Sequence, residues 1–290
     1  MRIAVVVATL GRPQEVGQLL ERLARQTLPP CVIVLSVESD ADLPPRLSDH
    51  VQVVTGPRGA SAQRNRGIDL VHGECDIIAF FDDDFLPCIH SLSGMAALFR
   101  DNPGVVGATG RVLADGVSHG GIAYDDACAI VAPFDRAGPA QGRIERDLHA
   151  AYGCNMAFRA AAVGEIRFDE NLPLYSWQED VDFAARTLSR GRVVKTDAFV
   201  GVHRGVTRGR TSGLRFGFSQ IVNPVYLVRK GTMRRRHAIQ LILRNFVANH
   251  FRALWPEPWI DRRGRVQGNW IGLVQVLSGD VRPQRVTELR

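Results

Sequence analysis

The 290-residue chain is short of lysine, of cysteine and of long apolar runs. Lysine occurs only at Lys195 and Lys230, so arginine supplies 34 of the 36 basic residues. Arginine grips phosphate bidentately where lysine is a point charge, although a GC-rich genome produces the same bias. The five cysteines (Cys31, Cys75, Cys88, Cys128, Cys154) are odd in number and lack any CxxC spacing. That argues against a zinc knuckle or a disulfide framework and for a reducing compartment. No apolar run approaches the roughly 18 residues of a membrane span. Met1–Leu10 reads as a first strand rather than a signal peptide. With 45% hydrophobic and 23% charged residues, the composition excludes wholesale disorder. The length allows one large domain or two intimate halves.

Charge is distributed unevenly. Residues 1–203 carry 19 basic and 26 acidic residues, a net of −7. Residues 204–290 carry 17 and 4, a net of +13. The acidic part and the basic tail therefore have different work to do.

Arg2–Ala8 is a β-branched run typical of a strand buried on both faces. Gly11-Arg12-Pro13 breaks it, and Val16, Leu19, Leu20 and Leu23 follow at helical spacing. Val32–Val37 and Val51–Val54 read as strands, Ala60–Val71 as a helix and Ile77–Phe81 as a further strand. This alternation is the grammar of a parallel α/β sheet, whose ligands sit beyond the carboxyl ends of the strands. Farther on, Asp115–Gly142 reads as loop-rich, and a helix starts near Ser176. Arg192–Lys195 and Phe199–Val202 read as separate short strands, and Arg204–Ser212 as a basic, glycine-rich loop. Ala238–Trp255 reads as an amphipathic helix.

Four constellations carry chemistry. Asp82-Asp83-Asp84 directly follows an apolar strand, where three adjacent carboxylates need a cation. Mg²⁺ or Mn²⁺ meets that need with carboxylate oxygens plus substrate phosphates; the bland alternative is a solvated acidic turn. Trp177-Gln178-Glu179-Asp180 opens a helix. Ser176 and Glu179 stand at capping-box spacing, leaving Asp180 to accept a proton or merely to complement the helix dipole. The Gly56–Gly67 segment opens a helix bearing Arg64, placed either to hold an aspartate or nucleotide or to be solvated. His203 follows a strand and either completes a metal site or is structural.

Together these pieces resemble the family 2 glycosyltransferases. The landmarks are Val5–Thr9 before Gly11-Arg12-Pro13, Arg64-Asn65-x-Gly67, Phe81–Asp84 as the DXD motif, Gly153–Arg159, and Glu179-Asp180 as the ED motif. Their order and spacing cover roughly residues 1–205. The resemblance implies a GT-A fold: an α/β, mostly parallel, Rossmann-like sheet flanked by helices. It divides the chain into a catalytic domain over 1–215 (nucleotide half 1–100, acceptor half 101–215) and a helical basic extension over 216–290.

The resemblance further implies an inverting, metal-dependent transfer from a nucleoside-diphosphate sugar, with UDP among the candidate nucleotides. In it Asp82 approaches the ribose, Asp84 holds Mn²⁺ or Mg²⁺ on the diphosphate, and Asp83 shares either task. Thr9 and Arg64 lie by the nucleoside. Glu38 or Asp40 replaces the Asp-Asp pair that many members carry near the nucleobase. The Gly153–Arg159 segment, with Gly153 and Asn155, lies near donor sugar and acceptor, together with Trp177 and Glu179. Asp180 is the base and His203 a further metal ligand.

The implied acceptor is a glycan, a lipid-linked or a small-molecule hydroxyl, in bacterial polysaccharide or glycoconjugate synthesis. The implied location is cytoplasmic. Arg234-Arg235-Arg236-His237 beside an amphipathic helix suits the anionic inner face of a membrane; packing on the catalytic domain is the alternative. Arg208 and Arg210 are placed to close over the diphosphate. No motif supports nucleic-acid binding. The rival readings are a metal-dependent nucleotidyltransferase, which needs a triphosphate loop not evident near the first strand, and a non-catalytic nucleotide- or glycan-binding module. A glycoside hydrolase also uses two carboxylates but needs no acidic metal-binding run.

Overall fold

The computed structural model describes residues 1–208 and 211–290. Its first half alternates β1 (Ile3–Ala8), α1 (Pro13–Ala24), β2 (Val32–Val37), β3 (Val51–Thr55), α2 (Ala60–Val71) and β4 (Ile77–Asp82). Next come β5 (Phe85–Pro87), α3 (Ser91–Asp101), β6 (Val105–Asp115), α4 (Tyr124–Ala137), β7 (Ile144–Leu148), β8 (Asn155–Arg159), α5 (Ala160–Val163), α6 (Glu179–Thr187) and β9 (Arg192–His203). Three long helices close the chain: α7 (Gly213–Lys230), α8 (Arg235–Arg252) and α9 (Arg262–Leu277).

The strands form one sheet in the order β3-β2-β1-β4-β8-β6-β9-β5, with β7 paired to β9. β3, β2, β1 and β4 are mutually parallel, while β8 enters antiparallel between β4 and β6. The apolar runs of β1 and β4 are buried on both faces, as their unbroken hydrophobic sequence requires. After β1 the chain builds outward to β2, and on the other side of β1 lies β4. The loops leaving β1 and β4 thus diverge at a switch point, which opens a crevice for a ligand.

The motif Arg64-Asn65-x-Gly67 becomes intelligible on α2. Asn65 exchanges two hydrogen bonds with the backbone of Phe168 (3.0 and 2.7 Å). A Cβ on Gly67 would stand 2.3 Å from Cγ1 of Val6 in β1. One side of the motif thus seats the helix on the sheet, and Arg64 is left to reach the crevice.

Several expectations are corrected. Residues 115–142 are not mainly loop: α4 buries Ala127 and Val131 at i,i+4 spacing, a period obscured by Pro133 and flanking aspartates. The two short strands at 192–195 and 199–202 are one strand, β9. Thr196 lies buried at its middle, donating to Arg143 O and accepting from Ala198 N–H, so its polarity does not interrupt the strand. Ser176 is not a helix cap. Gln178 is the N-cap residue of α6, in the left-handed region, and the Ser176 hydroxyl instead bridges Ser61 N–H and Leu172 O. The helix expected over Ala238–Trp255 runs three residues earlier at each end.

Helix α3 lies so close to β9 that a Cβ on Gly94 would fall 1.8 Å from the carbonyl oxygen of Ala198. Helix propensity alone makes Gly→Ala stabilising by up to about 1 kcal/mol. We predict that Gly94→Ala instead lowers the unfolding free energy by about 2–3 kcal/mol, because backbone must move to admit the methyl. Urea unfolding checks this; a stabilised variant would show that the helix does not sit against the strand.

Candidate active site

At the switch point lies a cavity of about 490 Å³, a size suited to a small-molecule ligand. The loop after β1 brings Thr9 and Arg12, the end of β4 brings Asp82 and the turn after it Asp83, and α2 brings Arg64. Gly153 before β8, Trp177 to Asp180 at the start of α6 and His203 at the end of β9 complete the wall. Gln63 holds the frame: its side-chain N–H groups donate to Thr9 O and Ser36 O, both at 2.7 Å, tying together the ends of β1 and β2.

The three aspartates diverge. Asp83 is buried, accepts from the Thr9 hydroxyl at 2.8 Å and pairs with Arg12 at 2.7 Å. Burial, then repulsion from Asp84, pushes its carboxyl up to about 7 against the pull of Arg12. Asp82 is partly open and accepts from Arg64 at 2.9 Å. Asp84 accepts from Val206 N–H at 2.7 Å through Oδ2. Its Oδ1 is buried without a well-formed hydrogen bond, 3.3 Å from His203 Nε2.

His203 is held from behind. Its Nδ1 lies 3.2 Å from Asp115 Oδ1 and 3.3 Å from the Tyr152 hydroxyl, which donates to Asp115 at 2.6 Å. Nε2 is thereby aimed at Asp82 and Asp84. Burial opposes a charge on the imidazole, but Cys154, Asp115 and Asp84 outweigh it and raise its pKa well above the ordinary value. The pocket thus draws a positive charge to this point. Ligand atoms of Asp82, Asp84 and His203 all lie within 4.8 Å of one another. Two carboxylates, one imidazole and an orphaned carboxylate oxygen fit a divalent cation of the Mn²⁺ or Mg²⁺ type.

A second cluster is built around Arg64, next to Asp82. Its guanidinium pairs with Glu179, with Asp82 and, at 3.3 Å, with Gly153 O. It is buried and held charged by these carboxylates, its pKa rising despite burial. Asp180 Oδ2 accepts from Gly153 N–H and Oδ1 from Val181 N–H, both at 2.8 Å. Burial, opposed by the Gly153 N–H and by Arg64, raises the Asp180 carboxyl above its ordinary value. The segment before α6 places Leu174, Ser176 and Gln178 all at positive φ (60°, 53° and 78°). Three non-glycine residues in the left-handed region are costly, and Leu174, Trp177 and Gln178 of that segment line the cavity.

Not every expected residue arrives. Glu38 and Asp40 are exposed and outside the cavity lining. The buried carboxylate of that loop is Asp42, which accepts from Gly11, Glu38 and Ser39 N–H groups and braces the turn after β1. Asn155 is fully buried behind the wall with neither side-chain polar atom bonded. Arg208 lends its carbonyl to Arg12, and Arg210 lies outside the described residues. Arg12, Asp115 and Tyr152 went unread in the sequence. Arg12 carried a signal, a lone cation after the first strand of a site rich in aspartate; Asp115 and Tyr152 carried none, because only the sheet register brings them to His203.

The sequence profile of glycosyl transferase family 2 matches residues 4–167, more than half of the chain. The fold is similar to that of S. aureus TarS residues 1–349, with a TM-score of 0.57 at 16% identity over 100% of this chain and 83% of that one. The complex of that protein with UDP-GlcNAc gives 0.57 at 15% identity, over 99% and 91%. Its complex with UDP gives 0.54 at 16%, over 99% and 90%. No curated protein matches the chain in sequence.

Arg64→Leu leaves the buried Glu179 without its counter-charge. We expect a loss of about 3–5 kcal/mol of unfolding stability. Burial and the neighbouring Asp180 push the Glu179 carboxyl up to about 8 even with Arg64 beside it. The loss should therefore grow as pH rises through about 8, where the wild type ionises but a carboxyl without its guanidinium must stay protonated to stay buried. A pH-independent loss in denaturant titrations would mean that Arg64 acts by packing alone.

Proposed function

Because the chain belongs to glycosyl transferase family 2, we propose that it moves a sugar from a nucleoside-diphosphate sugar to an acceptor hydroxyl with inversion, using Asp180 as base. The observation that carries this reading is the meeting of two unlike groups at one cavity: an acidic cation site of Asp82, Asp84 and His203, and the half-buried Asp180 with its raised carboxyl. A binding module needs no raised-pKa carboxylate facing such a site, which weighs against the non-catalytic alternative. The fold neighbour TarS was crystallised with UDP-GlcNAc, so UDP-sugars are the first donors to test.

Asp82, Asp84 and His203 would hold a divalent metal, which when bound neutralises charge developing on the leaving diphosphate. Thr9 and Asp83 form the floor beneath the nucleoside, and Arg12 fixes Asp83 in place. Arg58 and Arg215 line the same cavity and add positive charge for phosphate. Asp180 takes the proton of the acceptor hydroxyl as its oxygen bonds to C1 of the sugar. The C1–oxygen bond to the diphosphate breaks with its electron pair on the diphosphate. The Gly153 N–H keeps Asp180 Oδ2 oriented toward the cavity, and Trp177 gives the wall an apolar face on which a sugar ring packs. The acceptor we propose is a hydroxyl of a glycan, a lipid-linked or a small-molecule compound.

Asp180→Asn should keep donor binding and lose roughly 10²- to 10⁴-fold in kcat; unchanged transfer would exclude Asp180 as base. The wild-type rate should fall as pH drops, with its midpoint above the ordinary carboxylate range, because the base must be ionised and its pKa is raised. A plateau down to pH 4 would contradict that. Asp84→Ala should abolish the Mn²⁺-dependent part of the thermal shift produced by UDP, while a metal-independent shift in the wild type would exclude the cation role.

A further inference from the structure

The C-terminal helices carry an apolar face that nothing in the fold covers. Helix α8 turns Ala238 and Asn249 inward and leaves Ile239, Leu243, Val247 (62% exposed) and Phe251 (68%) in solvent, and Trp255 (75%), just past its end, continues the stripe. Helix α9 does the same with Trp270, Val274 and Leu277 (77%). These residues recur every three or four positions, so each helix presents one stripe. The Trp270 ring stands 5.4 Å from Phe246 and 5.9 Å from His250 of α8, which joins the two stripes into one surface. Scattered exposed apolar residues mean little, but a continuous patch marks an interaction site.

Its rim identifies the occupant. Residues 231–279 hold eight arginines and two carboxylates. Glu257 is taken by Arg252 and Arg262, and Asp261 caps α9 through Gly264 N–H. Among the described residues, Arg235, Arg236, Arg244 and Arg263 are exposed and have no ion pair. Arg235 stands one turn before Ile239 on α8, and Arg263 two turns before Trp270 on α9. A second copy docked by the same face would oppose arginine with arginine across a two-fold axis. Three of the four tryptophans of the chain, Trp255, Trp259 and Trp270, lie on or beside this surface and are exposed; indole favours the boundary between headgroup and acyl chain. No helix among the described residues is long and apolar enough to cross a membrane.

We propose that the joined face of α8 and α9 docks in the plane of an anionic lipid surface, with its apolar stripes among the acyl chains and its arginines among the headgroups. The turn between the helices meets the cavity side of the molecule. Trp259 packs over Gly120, and the Asp261 side chain lies against Gly213, next to the cavity-lining Ser212. Docking therefore holds the cavity close to the bilayer. The proposal does not depend on the donor or on the chemistry of transfer.

The test is vesicle co-sedimentation of the full chain, without nucleotide, on phosphatidylcholine vesicles with and without 30 mol% phosphatidylglycerol, about the anionic content of a cytoplasmic leaflet. Binding is expected only with the anionic lipid, weakened by salt, and accompanied by a blue shift and bromolipid quenching of tryptophan fluorescence. Arg235→Gln/Arg236→Gln/Arg244→Gln should weaken it on the order of a hundred-fold. Val247→Glu/Phe251→Glu should abolish it; both sites are exposed, and an unchanged circular-dichroism spectrum and melting temperature would confirm an intact fold. Absence of binding to anionic vesicles would overturn the proposal, as would binding that both variants retain. A dimer by light scattering that Val247→Glu/Phe251→Glu dissolves, with no vesicle binding by the wild type, would make a second copy the occupant.

Discussion

The site depends on balancing too many carboxylates in too little water. Asp82, Asp83, Glu179 and Asp180 line one cavity with Asp84 beside them, and only Asp82 and Asp180 among the five are part-exposed. Two arginines from opposite sides keep this arrangement folded: Arg12 on Asp83 and Asp84, Arg64 on Asp82 and Glu179. The balance remains short of positive charge, and the deficit falls at Asp84 and His203. A protonated imidazole or a bound cation satisfies it there. Desolvation, with repulsion from Asp82 added, keeps the Asp180 carboxyl raised, toward the range in which a base is useful at neutral pH.

Each arginine also couples parts of the chain that are distant in sequence. Arg12 reaches Val206 O and Arg208 O, so the loop after β9 is tied to the loop after β1. Arg64 binds the start of α6 to the end of β4 and to Gly153. The first turn of α6 is secured a second time: Lys230 bridges Asp169 and Asp182 at 2.5 and 2.8 Å, and Thr232 donates to Asp182. Asp182 is completely buried, so α6, and with it Asp180, is anchored through α7 as well as through the sheet.

The strands and helices of the first half were legible because burial on both faces leaves β1, β2 and β4 as unbroken apolar runs. Asp82–Asp84 was legible because three charges directly after such a run have no structural excuse. Legibility failed where a residue's partner is set by register or by a turn of special geometry. Asp115 meets His203 only because β6 and β9 run parallel with those two residues paired. Ser176 matched a capping pattern, yet the alternating left-handed residues of 174–178 carry its hydroxyl back to α2, and no propensity anticipates three non-glycine residues at positive φ. Glu38 and Asp40 were chosen by position in the chain, whereas the structure buries Asp42, four residues beyond Glu38, to hold the first turn together.

The basic tail was legible as charge and as amphipathicity, but not in its direction. A sequence pattern cannot say which stripe of a helix faces the protein, and α8 turns its small and polar residues inward. Asn249 donates to Gln220 Oε1 and Asn269 Oδ1 and accepts from Arg262, forming a buried polar lock among α7, α8 and α9. Asn269 passes the bond on to Gly217 O at 2.7 Å. Glycine makes that contact possible: a Cβ on Gly268 would meet Leu214 O at 2.0 Å, and one on Gly217 would meet Arg265 O at 2.2 Å. The buried apolar surface between the helices comes from Phe218, Val222 and Leu227 of α7, with Leu241 of α8 and Val276 of α9 packed against them. The outward stripes of α8 and α9 take no part in that packing or in the polar lock, and their place on the outside is not what holds the helices together.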